Sequence, residues 1–174
     1  MSRLATLLLA AGVLAASAAH AGPSATASAS VFIFKPLTIT ATAQMSFGKL
    51  QYNAASGPAV ATVVLSSQPP VARTSADVQL LPNGGETPAI RNLTGEPSRV
   101  YRVTVSNTTS TPGGLVVNTY TVWSTNSGDI SATHLGTLSA AGTDTIRIGA
   151  TLNVPQKTKN DTFTALPTIL ISYE

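Results

Sequence analysis

The chain closes on FTALPTILISYE, residues 163–174, and this stretch decides the predicted fold. Alternate residues of a strand point to opposite faces, so Ile169, Ile171 and Tyr173 share one face while Leu170 and Ser172 share the other. Both faces are largely apolar, which is typical of a strand inside a sandwich. We therefore expect a buried strand at the end of the chain.

The same alternation recurs through the preceding sequence. Residues 99–105 place Tyr101, Val103 and Val105 on one face, and residues 144–154 alternate again. Turn signals such as PNGG at 82–85 separate the segments, and helical periodicity is absent beyond the first residues. Short alternating strands with this punctuation predict an all-β antiparallel sandwich.

The first residues have the features of a signal peptide. A short basic start is followed by an apolar run over residues 4–16 and by the small-x-small triplet AHA at 19–21. The apolar run is shorter than the roughly 20 residues that span a bilayer. We expect residues 1–21 to be removed and the rest to be exported, to the periplasm, cell surface or exterior, with no integral membrane segment.

Composition excludes several classes of function. Charged residues make up 10% of the chain, against about 25% in ordinary globular proteins. Loss of Arg3 with the leader leaves nine of the ten basic residues against seven acidic ones, a net charge of +2. The basic residues are scattered, so nucleic-acid binding is not expected. There is no cysteine, so no disulfide contributes to stability.

The titratable side chains give little support for catalysis. His20 leaves with the signal peptide, so His134 is the only histidine of the mature chain. Ser131 and Asp129 lie close to it in sequence, but no nucleophile-elbow pattern surrounds them. We expect His134 to be a solvent-exposed loop residue, and we expect no catalytic residue, cofactor or metal site.

Two aromatic residues are candidates for a ligand platform. Tyr120 and Trp123 occur in an apolar segment at 115–123, and Trp123 is the only tryptophan. A lone tryptophan in such a strand is more often part of the core than a sugar-stacking surface. A binding role therefore stays an alternative.

The residues that follow the signal peptide form a small, simple segment, GPSATASAS at 22–30. Its apolar positions alternate and keep their phase into the next residues, which gives one apolar face made of Ala25, Ala27, Ala29, Val31 and Ile33. Two interpretations are open: a flexible leader, or an extended arm that adds itself to the edge of a sheet. Pro36 follows the arm, either as a hinge or as a joint between two strands.

A series of motifs, taken together, resembles a known family. The series runs through LTIT at 37–40, FG at 47–48, TGEP at 94–97, YRV at 101–103 and IGATLNV at 148–154, and ends at Tyr173. It is similar to a bacterial secreted domain-of-unknown-function family, the 4402 type. That family is similar in layout to spore-coat-U-like and chaperone–usher pilin domains.

The resemblance implies an immunoglobulin-like or pilin-like sandwich over residues 35–174, with residues 22–34 as an N-terminal arm or first strand. It implies a structural subunit of a surface or secreted fibre, in which residues 25–34 fill a gap in a neighbouring subunit. It also implies that a periplasmic chaperone grips the closing strand through Ile169, Ile171 and Tyr173. The alternative is a self-complete periplasmic or secreted binding module, for example for glycans.

Overall fold

A computed structural model describes residues 28–52, 60–106, 114–155 and 167–174. The signal peptide, Ala25 and Ala27 lie outside the described residues. Within them the chain forms strands and no helix, so the all-β prediction is confirmed. The sandwich lies in a compact unit, Ile33–Glu174. Of the preceding unit, Met1–Phe32, the described residues 28–32 carry no strand.

The described chain contains twelve strands. They are β1 (Thr38–Ala43), β2 (Leu50–Gln51), β3 (Val60–Leu65), β4 (Arg73–Ala76), β5 (Gln79–Leu80), β6 (Ala89–Thr94), β7 (Val100–Ser106), β8 (Val116–Ser124), β9 (Gly128–Asp129), β10 (Leu135–Thr137), β11 (Thr143–Pro155) and β12 (Thr168–Tyr173).

The larger sheet is built around β11, which is 13 residues long. One edge of β11 pairs with β6 along its first half and with β3 along its second half, and the other edge pairs with β8. Gly149 lies where β6 gives way to β3, and a Cβ there would collide with the main chain of Leu65 and Ser67. The glycine therefore permits two strands to share one edge. β1 extends the sheet beyond β6, and β4 extends it beyond β3.

The smaller sheet has the order β10-β7-β12, and both pairings are antiparallel. The closing strand, β12, therefore lies at an edge, with β7 as its neighbour among the described strands. Its side chains alternate between exposed and half-buried. The expectation of a strand buried inside the sandwich is wrong, because every second side chain of β12 is exposed and only β7 pairs with it among the described strands.

Six of the strands have the arrangement of an immunoglobulin domain. With β1, β6, β7, β8, β11 and β12 taken as strands A to F, one sheet has the order A-B-E-D and the other contains C-F. A complete immunoglobulin domain adds a strand G beside F. The described residues provide no strand at that position.

The core has two parts. The first packs β6, β8 and the first half of β11 against β7 and β12, and includes Leu93, Tyr101, Val103, Ile146 and Ile148. The second packs β3, β8 and the second half of β11 against the short pair β2–β5. Both are made of the inward positions of alternating strands, as the sequence pattern of residues 99–105 and 144–154 predicts.

One buried carboxylate joins the two sheets. Asp144 on β11 accepts hydrogen bonds from the hydroxyl of Tyr101 on β7 (2.5 Å) and from that of Ser124 on β8 (2.6 Å). The other carboxylate oxygen of Asp144 accepts hydrogen bonds from the main-chain amides of Thr145 (2.7 Å) and Asn126 (3.3 Å). A buried charge is tolerated when hydrogen bonds replace its hydration, and four donors meet that need here.

A buried arginine organises the end of the sandwich at which β2 and β5 pair. Arg73 donates to the main-chain oxygens of Phe47 (2.8 Å), Lys49 (3.0 Å) and Leu81 (2.5 Å). It also forms an ion pair with Glu86 at 3.4 Å. Arg73 thus joins the loop before β2 to the turn after β5.

The substitution Tyr101→Phe removes one donor from Asp144 and leaves the ring in place. We expect a loss of about 1–3 kcal/mol in the free energy of unfolding, because the carboxylate stays buried with one hydrogen bond fewer. Chemical denaturation measures the change. Tyr120→Phe is the matched control, since Tyr120 is half-buried in the same core; an equal loss in both variants would contradict the role of Asp144.

Burial, followed by the hydrogen bond to Asp144, raises the pKa of Tyr101 well above its ordinary value of 10.0. The folded state therefore stabilises the protonated phenol. This stabilisation is complete below about pH 10 and is lost as the pH rises further. We expect alkaline unfolding to coincide with ionisation of Tyr101, which phenolate absorbance measures. In a titration of the tyrosines, Tyr101→Phe should remove the step that occurs at the highest pH. Ionisation of all four tyrosines before unfolding would contradict this.

Candidate functional site

An open seam runs along one side of the sandwich, between the edge strands β1 and β12. The two strands meet at one end, where the hydroxyl of Tyr173 donates to the main-chain oxygen of Lys35 (2.8 Å) and Leu37 packs into the first core. From this end β1 runs away from Tyr173 and β12 runs toward it. We call the two ends of the seam the Tyr173 end and the Pro167 end.

The side chains that face the seam are incompletely buried. Ile39 lies opposite Leu93, which is 1% exposed, yet Ile39 itself is 38% exposed. Ile169 and Ile171 pack against the first core but are only half-buried. Central core residues of the same sheets are 0–1% exposed. Among the strands of the described ranges, none covers this part of the core.

Each of the two strands that flank the seam has an outer edge with which no described strand pairs. Natural edge strands are usually blocked by charged residues, prolines or bulges. β1 (TITATA) and β12 (TILISY) are each six residues long and contain no charged residue. β1 has one irregularity, between Ala41 and Ala43. Leu170, on the outer face of β12, is 63% exposed. These properties fit an edge that another strand covers.

The Tyr173 end is fixed by a cluster that we call the clamp: Phe34, Lys35, Glu96, Arg99 and Tyr173. The Tyr173 hydroxyl accepts the amide of Glu96 (2.6 Å) while it donates to Lys35, and the Glu96 carboxylate accepts the amide of Lys35 (3.0 Å). The Phe34 ring lies 6.2 Å from that of Tyr173, and the Arg99 guanidinium lies 4.2 Å above Phe34. The clamp fixes the point at which the chain enters β1.

Gly95 makes room for the clamp. A Cβ at this position would collide with the Tyr173 hydroxyl and crowd Leu37. The motif TGEP at 94–97 is part of the family resemblance, but its spacing gives no sign that Glu96 contacts the far end of the chain. Glu96, Arg99 and Lys35 were missed as site residues because the contacts that join them span about 60 residues or more of sequence.

The described part of the predicted arm is exposed. Val31, Phe32 and Ile33 are 82%, 85% and 87% exposed, and residues 28–37 form no strand. Ala29 is exposed as well. Exposed large apolar side chains such as those of Val31 and Ile33 are typical of a surface that contacts a partner. Pro36 stands between the clamped residue Lys35 and β1.

Tyr120 and Trp123 do not form a common platform. Three positions separate them on β8, so their side chains lie on opposite faces of the sheet. Tyr120 packs against both core clusters, and burial raises its pKa. Trp123 lies on the outer face, opposite Arg147 of β11. Only Trp123 remains available to a ligand on that face.

The histidine differs from expectation. His134 is half-buried, its backbone has a φ of 58°, and its Nδ1 is buried without a hydrogen-bond partner in the described chain. His134 lies in a loop, but it is half-buried rather than solvent-exposed as predicted, because its main chain is hydrogen bonded to Ile130 (2.7 Å) and Val103 (2.9 Å). The Ser131 hydroxyl donates to Asp129 (2.6 Å) and accepts the amide of Val122 (2.9 Å), which are the contacts of a turn.

Hydrogen bonds from Ser131 lower the pKa of Asp129 below its ordinary value of 3.8. In the described ranges no three His, Cys, Asp or Glu residues converge on a possible metal position. No part of the described chain forms a helix long and apolar enough to cross a bilayer.

Comparison with known proteins identifies the family. A family model described as "Domain of unknown function (DUF4402)" matches residues 37–173. The chain belongs to this family. No curated protein and no solved structure matches the chain. The predicted membership is therefore confirmed, and the similarity to spore-coat-U and pilin domains stays a prediction. The match begins at the first residue after Pro36, so it contains both flanks of the seam but not the arm.

The substitution Tyr173→Phe tests the clamp. It keeps the ring beside Phe34 and removes the hydroxyl that links Glu96 and Lys35. We expect the amide of Glu96 to exchange with solvent roughly tenfold faster, because loss of about 1.4 kcal/mol of local stability changes the opening equilibrium tenfold. Hydrogen exchange measures this. Tyr120→Phe is the control, and an unchanged Glu96 amide in Tyr173→Phe would show that the hydroxyl does not hold the clamp.

Proposed function

We propose that the protein is a non-catalytic, exported structural subunit of a surface or secreted fibre, and that the arm of one copy enters the seam of another as an added strand. The partner is a second copy of this chain or a related subunit. The observation that carries the proposal is the coexistence, on one chain, of a seam at the position of strand G that no described strand fills and of the exposed apolar residues Val31 and Ile33.

The chemistry of the two parts is complementary. The seam exposes inward-facing Ile39, Ile169 and Ile171 together with free main-chain edges, and the arm carries apolar side chains at every second position through Val31 and Ile33. A strand placed in the seam buries these side chains and pairs with the edge of β12 at the same time. This is the pairing that an immunoglobulin domain makes with strand G.

Burial of the exposed apolar side chains of the arm favours association. Full burial of a Val or Ile side chain contributes about 1.5–3 kcal/mol. Val31 and Ile33 are more than four-fifths exposed, so nearly all of this remains to be gained. Ordering an arm costs about 1–2 kcal/mol per residue, and the main-chain hydrogen bonds along β12 offset part of that cost.

Export and handling of the subunit complete the proposal. A signal peptide at residues 1–21 would place the protein outside the cytoplasm, where strand addition proceeds without an energy source. The open seam would expose the subunit to aggregation before assembly, so a periplasmic chaperone that covers β12 through Ile169, Ile171 and Tyr173 is the expected transient partner. No catalytic role is assigned to His134, because the Ser131 hydroxyl is engaged with Asp129 and with the amide of Val122 on β8.

Charged substitutions in the arm test the proposal. In the chain without its signal peptide, Val31→Asp together with Ile33→Asp places carboxylates on the face that enters the seam, and we expect assembly to be reduced more than a hundredfold. Phe32→Asp is the matched control, since residue 32 of an arm added as a strand points to the face opposite to that of residues 31 and 33. Sedimentation velocity and light scattering measure the size distribution.

Equal effects of the inward and outward substitutions would contradict strand addition by the arm. If the unaltered chain is a monomer that melts at the same temperature as the double variant, the arm does not enter any seam. The chain is then a self-complete module, and binding of a glycan array, with Trp123→Ala as the control, becomes the next measurement.

A further inference from the structure

We propose that the outer face of the larger sheet binds an acidic polysaccharide, in which the Trp123 ring packs on one uronic acid residue and the Arg147 guanidinium pairs with the carboxylate of that sugar. We call the four side chains Gln68, Trp123, Asp129 and Arg147 the outer site. They lie on the face turned away from the smaller sheet, so binding needs neither the arm nor the seam and is independent of the proposed function.

The outer site is a row of side chains that crosses three neighbouring strands. Ile146 and Ile148 of β11 are fully buried, so Arg147 between them points to the outer face. Arg147 pairs with Trp123 on β8, and Trp123 pairs with Asp129 on β9. Directly paired residues share a face, and their Cβ atoms are about 4.5–5.5 Å apart. The indole ring therefore has a cation on one side and an anion on the other.

The loop between β3 and β4 crosses the same face and borders the site. Gly149 lies between two inward residues of β11, and a Cβ on its outer side would collide with the main chain of Leu65 and Ser67. The loop therefore passes over β11 at this point. Its Gln68 amide then donates to the Asp129 carboxylate (3.2 Å), although β3 and β8 pair with opposite edges of β11. A ligand on the indole ring would lie against this loop.

The guanidinium of Arg147 is available for an anion. The residue is half-buried, yet within the described ranges its guanidinium has no hydrogen bond, ion pair or ring contact. The other arginines of the described ranges are engaged with main-chain oxygens, an aromatic ring or a carboxylate: Arg73, Arg91, Arg99 and Arg102. The planar fork of a guanidinium matches the two oxygens of a carboxylate, so this group favours a carboxylate ligand.

The remaining groups of the site favour a sugar as the carrier of that carboxylate. The C–H groups of a pyranose ring carry partial positive charge and pack on the negative face of an indole ring. Sugar hydroxyls need hydrogen-bond partners, and the Asp129 carboxylate and the Gln68 amide provide them. Because Asp129 repels a second carboxylate, the acidic group of the sugar is directed to the Arg147 side of Trp123.

The face beside the site can accept further sugar residues. Two residues along β11 from Arg147, about 7 Å away, Thr145 pairs with Asn92 and donates a hydrogen bond to it (3.0 Å). Thr143 and Thr94 form the next pair along the same two strands. These positions carry hydroxyl and amide groups and no carboxylate. A polysaccharide with repeated negative charges therefore meets hydrogen-bonding groups there without repulsion.

Intrinsic fluorescence tests the proposal directly, because Trp123 is the only tryptophan of the chain. The chain without its signal peptide is titrated with hexasaccharides of galacturonic, glucuronic and mannuronic acid, with their methyl esters, and with hexaglutamate. We expect a saturable change in fluorescence with at least one acidic hexasaccharide. Its methyl ester, which lacks the negative charge, should bind roughly tenfold more weakly or worse, because a charged hydrogen-bonded pair is lost.

Substitutions of the arginine assign the carboxylate contact. Arg147→Gln should weaken binding of the acidic hexasaccharide roughly tenfold or more and leave binding of its ester unchanged. Arg147→Lys keeps the charge but lacks the planar fork, so its affinity should be intermediate. Arg102→Gln is the matched control, since Arg102 lies on the smaller sheet and pairs with Glu174, and it should leave the affinity unchanged.

Each contrary result has a definite meaning. The absence of a saturable change with all the acidic hexasaccharides, or equal affinities for acid and ester, would overturn the proposal. Hexaglutamate binding as tightly as the sugar would overturn the assignment to a polysaccharide, and an unaltered affinity in Arg147→Gln would overturn the site. The double variant Val31→Asp with Ile33→Asp should bind the hexasaccharide normally, so failure of strand addition and failure of this proposal are distinguishable.

Discussion

The fold depends on the hydrogen bond between Tyr101 and Asp144, which joins the two sheets across the core at 2.5 Å. The chain has no disulfide to perform this task. The carboxyl group of Asp144 is buried, and hydroxyl and amide donors from three strands and a turn satisfy its oxygens. Tyr101 on β7 pairs with Tyr173 on the neighbouring strand β12. The hydrogen bond that joins the sheets at Tyr101 therefore also fixes the position of Tyr173, and with it the position of the clamp at the end of the seam.

The seam is a consequence of the strand order, because β12 is an edge strand of the smaller sheet. β11 pairs with β6 and β3 along one edge and with β8 along the other, so both edges of the central strand of the larger sheet are paired. The smaller sheet has β7 between β10 and β12, and the described strands leave the outer edge of β12 uncovered. A two-layer sandwich in which one sheet ends early must expose core side chains at that side. Ile39, Ile169 and Ile171 are the residues exposed in this way.

The structure brings together residues that the sequence analysis treated separately. The arm and the closing strand are the two candidate pairing segments. In the clamp, Lys35 at the end of the arm is hydrogen bonded to Tyr173, the last residue of β12. Tyr120 and Trp123 lie on opposite faces of β8, so the predicted ligand platform does not form. His134 is drawn partly into the fold by its place before β10. These outcomes depend on register and on long-range packing, which alternation within one segment does not reveal.

The sequence by itself determined the all-β class, the inward faces of β7, β11 and β12 and the family, because period-two patterning and local motifs are properties of short segments. Only the tertiary structure decided that β12 is an edge strand, that Glu96 and Arg99 hold the root of the arm, and that Asp144 joins the sheets. Each of these depends on which strands become neighbours. Strand order is set by the summed packing of the whole core and by loop connections, so no single stretch of residues encodes it.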